Sequence, residues 1–203
     1  MFKQLRSPSS PSLYAIVFLM SILMSVLVSS NANAFDRYKI DSEHTFSIFE
    51  YNHWGLSLQR GRFDRNSGMI EIDFENRTGS VLIEIEANSV STGTAVFDTA
   101  LRSTRFFDAA NYPKITFKST AIVFDETQKV VAMEGELTIK GITKPIRIEL
   151  SQFNCRFMPL YLKKACGANG SSRILRSDFD LGRFTPFVSD EVTLFFSVEA
   201  IKE

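Results

Sequence analysis

Downstream of residue 35, apolar and polar side chains alternate with a period of two. Ile70, Ile72 and Phe74 alternate with Glu71 and Asp73. Val81, Ile83, Ile85 and Ala87 alternate with Ser80, Glu84 and Glu86, and Leu82 breaks the rule. Ile115 and Phe117 alternate with Lys114, Thr116 and Lys118, and Leu137 and Ile139 with Glu136, Thr138 and Lys140. Ile146, Ile148 and Leu150 alternate with Arg147 and Glu149. Val192, Leu194, Phe196, Val198 and Ala200 alternate with Thr193, Ser197 and Glu199. Period two marks half-buried strands, and one apolar with one charged face fits an antiparallel sheet with a wet side. Residues 38–41, 44–52, 58–63 and 173–181 read as further strands, giving eight or more.

Turn chemistry separates the runs. Asp64-Arg65-Asn66-Ser67-Gly68 and Glu75-Asn76-Arg77-Thr78-Gly79 read as hairpin loops, and Lys140-Gly141-Ile142-Thr143-Lys144-Pro145 as a turn into the next strand. Residues 92–108 differ. Ala95, Phe97, Ala100, Leu101, Phe106 and Phe107, with Asp98, Arg102 and Arg105, fit a short helix and a turn ending before Pro113. No repeat or linker divides the chain. The expectation is a single all-β domain, an antiparallel eight-stranded β-barrel with the helix capping one mouth. Closure removes the exposed edges of a long sheet. A barrel of this size is either packed solid or holds one small ligand, and periodicity does not choose between them. An outer-membrane barrel would turn its apolar face outward. Mid-strand charges, the lack of aromatic girdles and the charged end Ala200-Ile201-Lys202-Glu203 argue against one.

The first 34 residues carry a different pattern. Lys3 and Arg6 precede the 16-residue run Leu13 to Val28, broken only by Ser21 and Ser25, and Ala32-Asn33-Ala34 follows. This is the layout of a secretory signal peptide cut after Ala34, and the run is short for a membrane span of about 20 residues. The expected mature domain is 35–203. Export changes how the cysteines read. Cys155 and Cys166 are the only two, and an even count in an oxidising compartment indicates a disulfide contributing about 2–3 kcal/mol. Two thiols with no His nearby supply too few ligands for zinc.

Lys and Arg total 23, as do Asp and Glu. That balance gives no basic footprint for nucleic acid. Phe occurs 19 times, which suits strands and an aromatic interior. Candidate chemistry is sparse. His44 and His53 are the only histidines, and catalytic zinc usually needs three protein ligands. No G-x-S-x-G turn, phosphate loop or dinucleotide fingerprint occurs. The carboxylates alternate along wet faces, which argues against a glycosidase pair. Asn76-Arg77-Thr78 and Asn169-Gly170-Ser171 match the glycan acceptor pattern, which is short enough to arise by chance. Asp98 and Arg102 stand four apart on the predicted helix and are placed either to pair with each other or to meet a ligand head group at a cavity mouth.

Several blocks together resemble the YceI-like polyisoprenoid-binding family over nearly the whole mature chain. They are Tyr38-Lys39-Ile40-Asp41-Ser42-Glu43-His44-Thr45; His53-Trp54-Gly55-Leu56-Ser57 followed by Gly61-Arg62-Phe63; Asp98 to Ser103 with Phe106-Phe107-Asp108; and Tyr112 to Ser119. The most distinctive is Gly135-Glu136-Leu137-Thr138-Ile139-Lys140-Gly141-Ile142-Thr143-Lys144-Pro145, and Ser189-Asp190-Glu191-Val192 with Val198-Glu199-Ala200 closes the match. One departure stands out: the family commonly has His between the helix Asp and the Leu-Arg pair, where this chain has Ala100. The segment bearing Cys155 and Cys166 resembles an insertion found in part of the family.

The resemblance implies a periplasmic lipocalin-like barrel, not an enzyme, that carries or sequesters a polyprenyl phosphate or a quinone tail and needs no cofactor. On the apolar faces, Phe46, Ile48, Phe74, Ile83, Ile85, Phe117, Leu137, Ile139, Leu194 and Phe196 are the expected pore lining, with His44, Asp98 and Arg102 near a mouth. Two other readings remain at this level. One is a packed barrel that partners a membrane quinone or redox protein, and the other an enzyme for prenylated substrates using His44 or Asp98. Oligomeric state, a homodimer included, is not legible.

Overall fold

A computed structural model describes residues 35–203; the expected signal peptide lies outside them. Among the described residues there are eleven strands: β1 (Asp36–Ile40), β2 (Phe46–His53), β3 (Ser57–Phe63), β4 (Asn66–Asp73), β5 (Thr78–Glu86), β6 (Val90–Ser91), β7 (Lys114–Phe124), β8 (Val130–Ile139), β9 (Ile142–Met158), β10 (Lys163–Leu175) and β11 (Glu191–Lys202). Among the same residues one α-helix, α1 (Ala95–Arg102), joins β6 to β7.

The eleven strands form eight staves. β11 pairs with β1 at Ala200↔Ile40 and with β2 at Leu194↔Phe49, so β1 and β2 are halves of one kinked stave. β3 with β4, and β5 with β6, are likewise consecutive halves, because β3 pairs β2 and β6 while β4 pairs β1 and β5. The staves run antiparallel in chain order, and β11 returns to the first stave and closes the barrel. This is the eight-stranded antiparallel barrel with one short helix that the alternating pattern predicts.

The kink in the first stave is stitched by buried polar groups. Thr45 Oγ1 donates to the Glu199 carbonyl at 3.3 Å and accepts from Glu199 N at 3.1 Å. Ser47 Oγ donates to Asn66 Oδ1 at 2.8 Å, and Asn66 Nδ2 donates to the carbonyls of Thr45 (2.9 Å) and Phe63 (3.0 Å). Each buried polar atom thus has a partner at the point where the ladder breaks.

Below this girdle, side chains pack the barrel. Tyr38, Ile40, Ile72, Val81, Ile83, Phe117, Val130, Ala132, Ile148 and Ala200 are all buried. Tyr38 is fully enclosed, and its hydroxyl donates to Asp36 Oδ2 at 3.2 Å. Burial, with Asp36 beside it, pushes the phenol pKa up and keeps it neutral. The outer wall is charged, with cross-strand pairs such as Arg60–Glu50 (2.6 Å), Lys114–Glu84 (2.7 Å) and Arg147–Glu134 (2.6 Å). Exposed pairs contribute little stability, but they are unlike the apolar band of a membrane barrel.

The structure differs from the sequence expectation around residues 150–181. β9 and β10 form a long hairpin, and residues 173–181 are not one strand: β10 ends at Leu175, and a 3-10 turn, Arg176–Phe179, follows. The hairpin escapes period-two reading because Gly167-Ala168-Asn169-Gly170-Ser171-Ser172 has no large side chain to alternate. The β9–β10 ladder stops at Glu149↔Ser171. Above that point the buried residues Phe179 and Leu181 occupy the opened wall.

Candidate functional site: an apolar cavity in one half of the barrel

Above the Ser47–Asn66 girdle the interior is hollow. A cavity of about 530 Å³ opens between the β2–β3 end, α1 and the loop after the 3-10 turn. Its size falls in the range of small-molecule sites, roughly 300–1,000 Å³. The floor is Ile85, Ile115, Leu137 and Ile139, and Val192, Leu194 and Phe196 form one wall. Aromatic rings line the rest. Phe49 lies 5.8 Å from Phe63 and 6.3 Å from Phe107, and Phe63 lies 5.2 Å edge-on to Phe107. Such edge and tilted contacts suit the ring quadrupole. Gly61, opposite Phe49 in register, leaves room for that ring, because any Cβ at 61 would fall on it.

At the mouth, Phe106 approaches Phe184 at 6.3 Å and joins the turn after α1 to the 181–188 loop. α1 is set by spacing: Phe97, Ala100 and Leu101 fall on one face and line the cavity. Ala100, which stands where the family commonly has His, therefore faces the hollow.

Few polar groups look inward: Ser47, Tyr51, His53, Gln59, Thr92, Arg176 and Arg183. The Arg176 guanidinium is largely committed. Nε donates to Ser189 O (2.8 Å), Nη1 to Leu181 O (2.6 Å) and Arg183 O (3.2 Å), and Nη2 to Val188 O (3.0 Å) and Thr185 Oγ1 (3.4 Å). Burial lowers its pKa, opposed by Asp190 and Tyr51. Burial raises the Tyr51 pKa, so the ring stays neutral. Arg176 thus holds the loop that walls the mouth.

Of the residues expected to line a pore, Ile85, Leu137, Ile139, Leu194 and Phe196 border the cavity, and Ile48 touches it without turning its side chain inward. The register partners of Ile48, Arg62 and Phe195, put its side chain on the outer face. Phe46 lies outside too, with the Arg62 guanidinium 5.0 Å over its ring. Ile83 and Phe117 belong to the packed half. Phe74 sits at the far end, 6.1 Å from Phe153.

The three expected mouth residues are engaged elsewhere. His44 is exposed and meets Asp41 Oδ2 at 2.8 Å. Asp98 accepts from Thr92 N (2.7 Å) and Thr92 Oγ1 (2.8 Å), while Arg102 Nη2 donates to Val90 O (2.8 Å). Asp98 and Arg102 therefore fasten α1 to β6 and the following turn instead of pairing with each other. Sequence reasoning missed Phe49, Tyr51, Phe63, Phe106, Phe107 and Phe184. Phe49 and Tyr51 share a strand with outward Phe46 and Ile48, so apolar character alone does not give their face. The last three lie in turns, where no period applies.

Residues 38–200 match the YceI-like domain. Protein YceI of Salmonella arizonae is 32% identical over 184 residues, covering 89% of this chain and 95% of its own length. Among solved structures, Burkholderia cenocepacia BcnA aligns with a TM-score of 0.66 at 24% identity, covering 79% of this chain and 98% of that one. A Campylobacter jejuni YceI protein gives 0.64 at 27%, covering 75% and 90%. A polyisoprenoid binding domain from Saccharophagus degradans, implicated in plant cell wall breakdown, gives 0.62 at 18%, covering 82% and 98%. At 24% and 18% identity the likeness to BcnA and to the Saccharophagus degradans domain is one of fold.

Proposed function

This chain belongs to the YceI-like family, and from that premise we propose that its cavity binds an isoprenoid lipid, as a periplasmic carrier or sequestering protein. The observation that carries the reading is the aromatic-walled hollow of about 530 Å³ in one half of the barrel. A polyisoprenoid binding domain shares this barrel fold, and membership of the YceI-like family is what favours an isoprenoid as the ligand class.

Each buried methylene contributes about 0.8 kcal/mol. Only a surplus over ordering and desolvation costs appears as affinity, so a ligand with many methylenes needs few polar contacts. The packed lower half limits how much chain enters. The remainder leaves past Phe97 and Phe184, both exposed at the rim. A quinone ring or a phosphate would meet Gln59, Thr92 or Arg183 at the same rim. Export with cleavage after Ala34 completes the proposal, and the Cys155–Cys166 disulfide is consistent with an oxidising compartment.

Trp54, the single tryptophan, stacks on Phe187 at 4.3 Å beside the mouth. Titration with a short-tailed isoprenoid quinone should quench its fluorescence saturably, and a saturated polyprenol should compete. Linear, non-competable quenching would contradict the reading.

A further inference from the structure

The β9–β10 hairpin carries a feature that the cavity does not use. β9 has no β8 partner beyond Glu149, and β10 meets β11 only from Ala165 onward. The ribbon beyond those points projects from the barrel wall. Hairpin tips ordinarily carry Gly, Asn, Asp or Pro. This one keeps Pro159 but is otherwise apolar or aromatic, Phe157-Met158-Pro159-Leu160-Tyr161-Leu162, with Phe157 61%, Leu160 80% and Leu162 77% exposed.

Charge within the hairpin has one sign, and Lys164, 5.3 Å over the Phe74 ring, also lies near enough to Asp36 to lower its pKa. From Leu150 to Ser177 the sequence contains no Asp or Glu, and Arg156, Lys163 and Lys164 collar the apolar residues. Cys155 and Cys166 are register partners joined by the disulfide, three residue pairs from the end. A two-stranded ribbon alone is marginal in water, and the covalent link keeps this one paired.

We propose that this tip, residues 157–162 with its cationic collar, inserts into the surface of an anionic bilayer and anchors the protein there. Apolar side chains bind at the headgroup–acyl boundary, aromatic Tyr161 suits the interface, and lysines and arginines are drawn to anionic headgroups. A groove on a partner protein would also accept leucines. It gives no reason for three cations in a segment that itself carries no carboxylate. The consequence is an orientation. From Ile142 at the cavity end to Met158, β9 covers about 50 Å of strand, so the anchored barrel presents its mouth away from the bilayer that holds it. This inference does not depend on what the cavity binds.

The test is co-sedimentation of the purified protein with vesicles of phosphatidylcholine alone and of phosphatidylcholine with phosphatidylglycerol. Binding is expected only to the anionic vesicles and should fall steeply with salt. Replacing Lys163→Gln and Lys164→Gln together should weaken it roughly thirty-fold. Leu160→Asp with Leu162→Asp should weaken it by roughly tenfold or more per leucine. Unchanged circular dichroism and melting of these variants will show that the barrel is intact. In a Trp54→Phe background, Leu160→Trp should be quenched by brominated lipid. The proposal is overturned if the wild-type protein ignores anionic vesicles or if the leucine variants bind undiminished. It is equally overturned if binding is lost instead on Leu56→Asp in the β2–β3 turn with Phe97→Asp at the cavity rim.

Discussion

The Arg176 guanidinium donates to the Leu181 carbonyl at 2.6 Å, and its remaining donors reach four more acceptors between Arg183 and Ser189. One side chain therefore sets the path of the loop that walls the cavity mouth. Arg176→Met should leave these partly buried carbonyls unpaired at a cost of about 1–3 kcal/mol. Hydrogen exchange should show the loss concentrated in residues 181–189, with β7 and β8 still protected. Loosening spread evenly over the barrel would count against this role.

Asn66 divides the packed half of the barrel from the hollow half. Asn66→Ala removes the acceptor of Ser47 Oγ and the donor to the Thr45 and Phe63 carbonyls. Denaturant unfolding should report a loss of about 1–3 kcal/mol. A neutral result would mean that water replaces the amide without cost.

His44 and Asp41 give a pH dependence whose sign follows from their contact. The Asp41 carboxylate raises the His44 pKa. The imidazolium form therefore binds its proton more tightly in the folded chain than in the unfolded one. The resulting stabilisation is present below the unfolded His pKa and is lost as pH rises through the elevated folded value. NMR titration of the His44 ring in wild type and Asp41→Asn should show a downward shift in the variant. Equal midpoints would contradict the pairing.

Ala100 faces the cavity where the family commonly carries His. Ala100→His places an imidazole at the mouth without filling it, so affinity for an uncharged polyprenol should change little while affinity for a polyprenyl phosphate rises at low pH. Isothermal titration with both ligands separates these effects. Identical responses would show that position 100 does not meet the head group.

Much of the fold was legible because alternation is local. Ile83 and Ile85, or Leu137 and Ile139, announce both strand and face, and the turn residues between the runs mark most of the staves. The site was harder for a physical reason. Ile83 and Ile85 are indistinguishable as sequence, yet Ile83 packs the closed half and Ile85 lines the hollow. What divides them is the girdle of Thr45, Ser47 and Asn66, whose contacts join residues far apart in the chain. Asp98 and Arg102 have the spacing of a helical ion pair. Their nearest good partners, Thr92 and the Val90 carbonyl, are supplied by the end of the preceding stave. In β2, apolar residues on both faces left the register with β11 to decide that Phe49 and Tyr51 turn inward.

The most direct measurement is solvent extraction and mass spectrometry of lipid carried by the natively purified protein, set beside a variant with Ala100→Trp and Leu137→Trp. The wild-type protein should release an isoprenoid, and the filled variant should release little while keeping the same strand content. A wild-type protein that carries no isoprenoid and takes none up from solution, or a filled variant that carries as much, would contradict an isoprenoid-binding cavity.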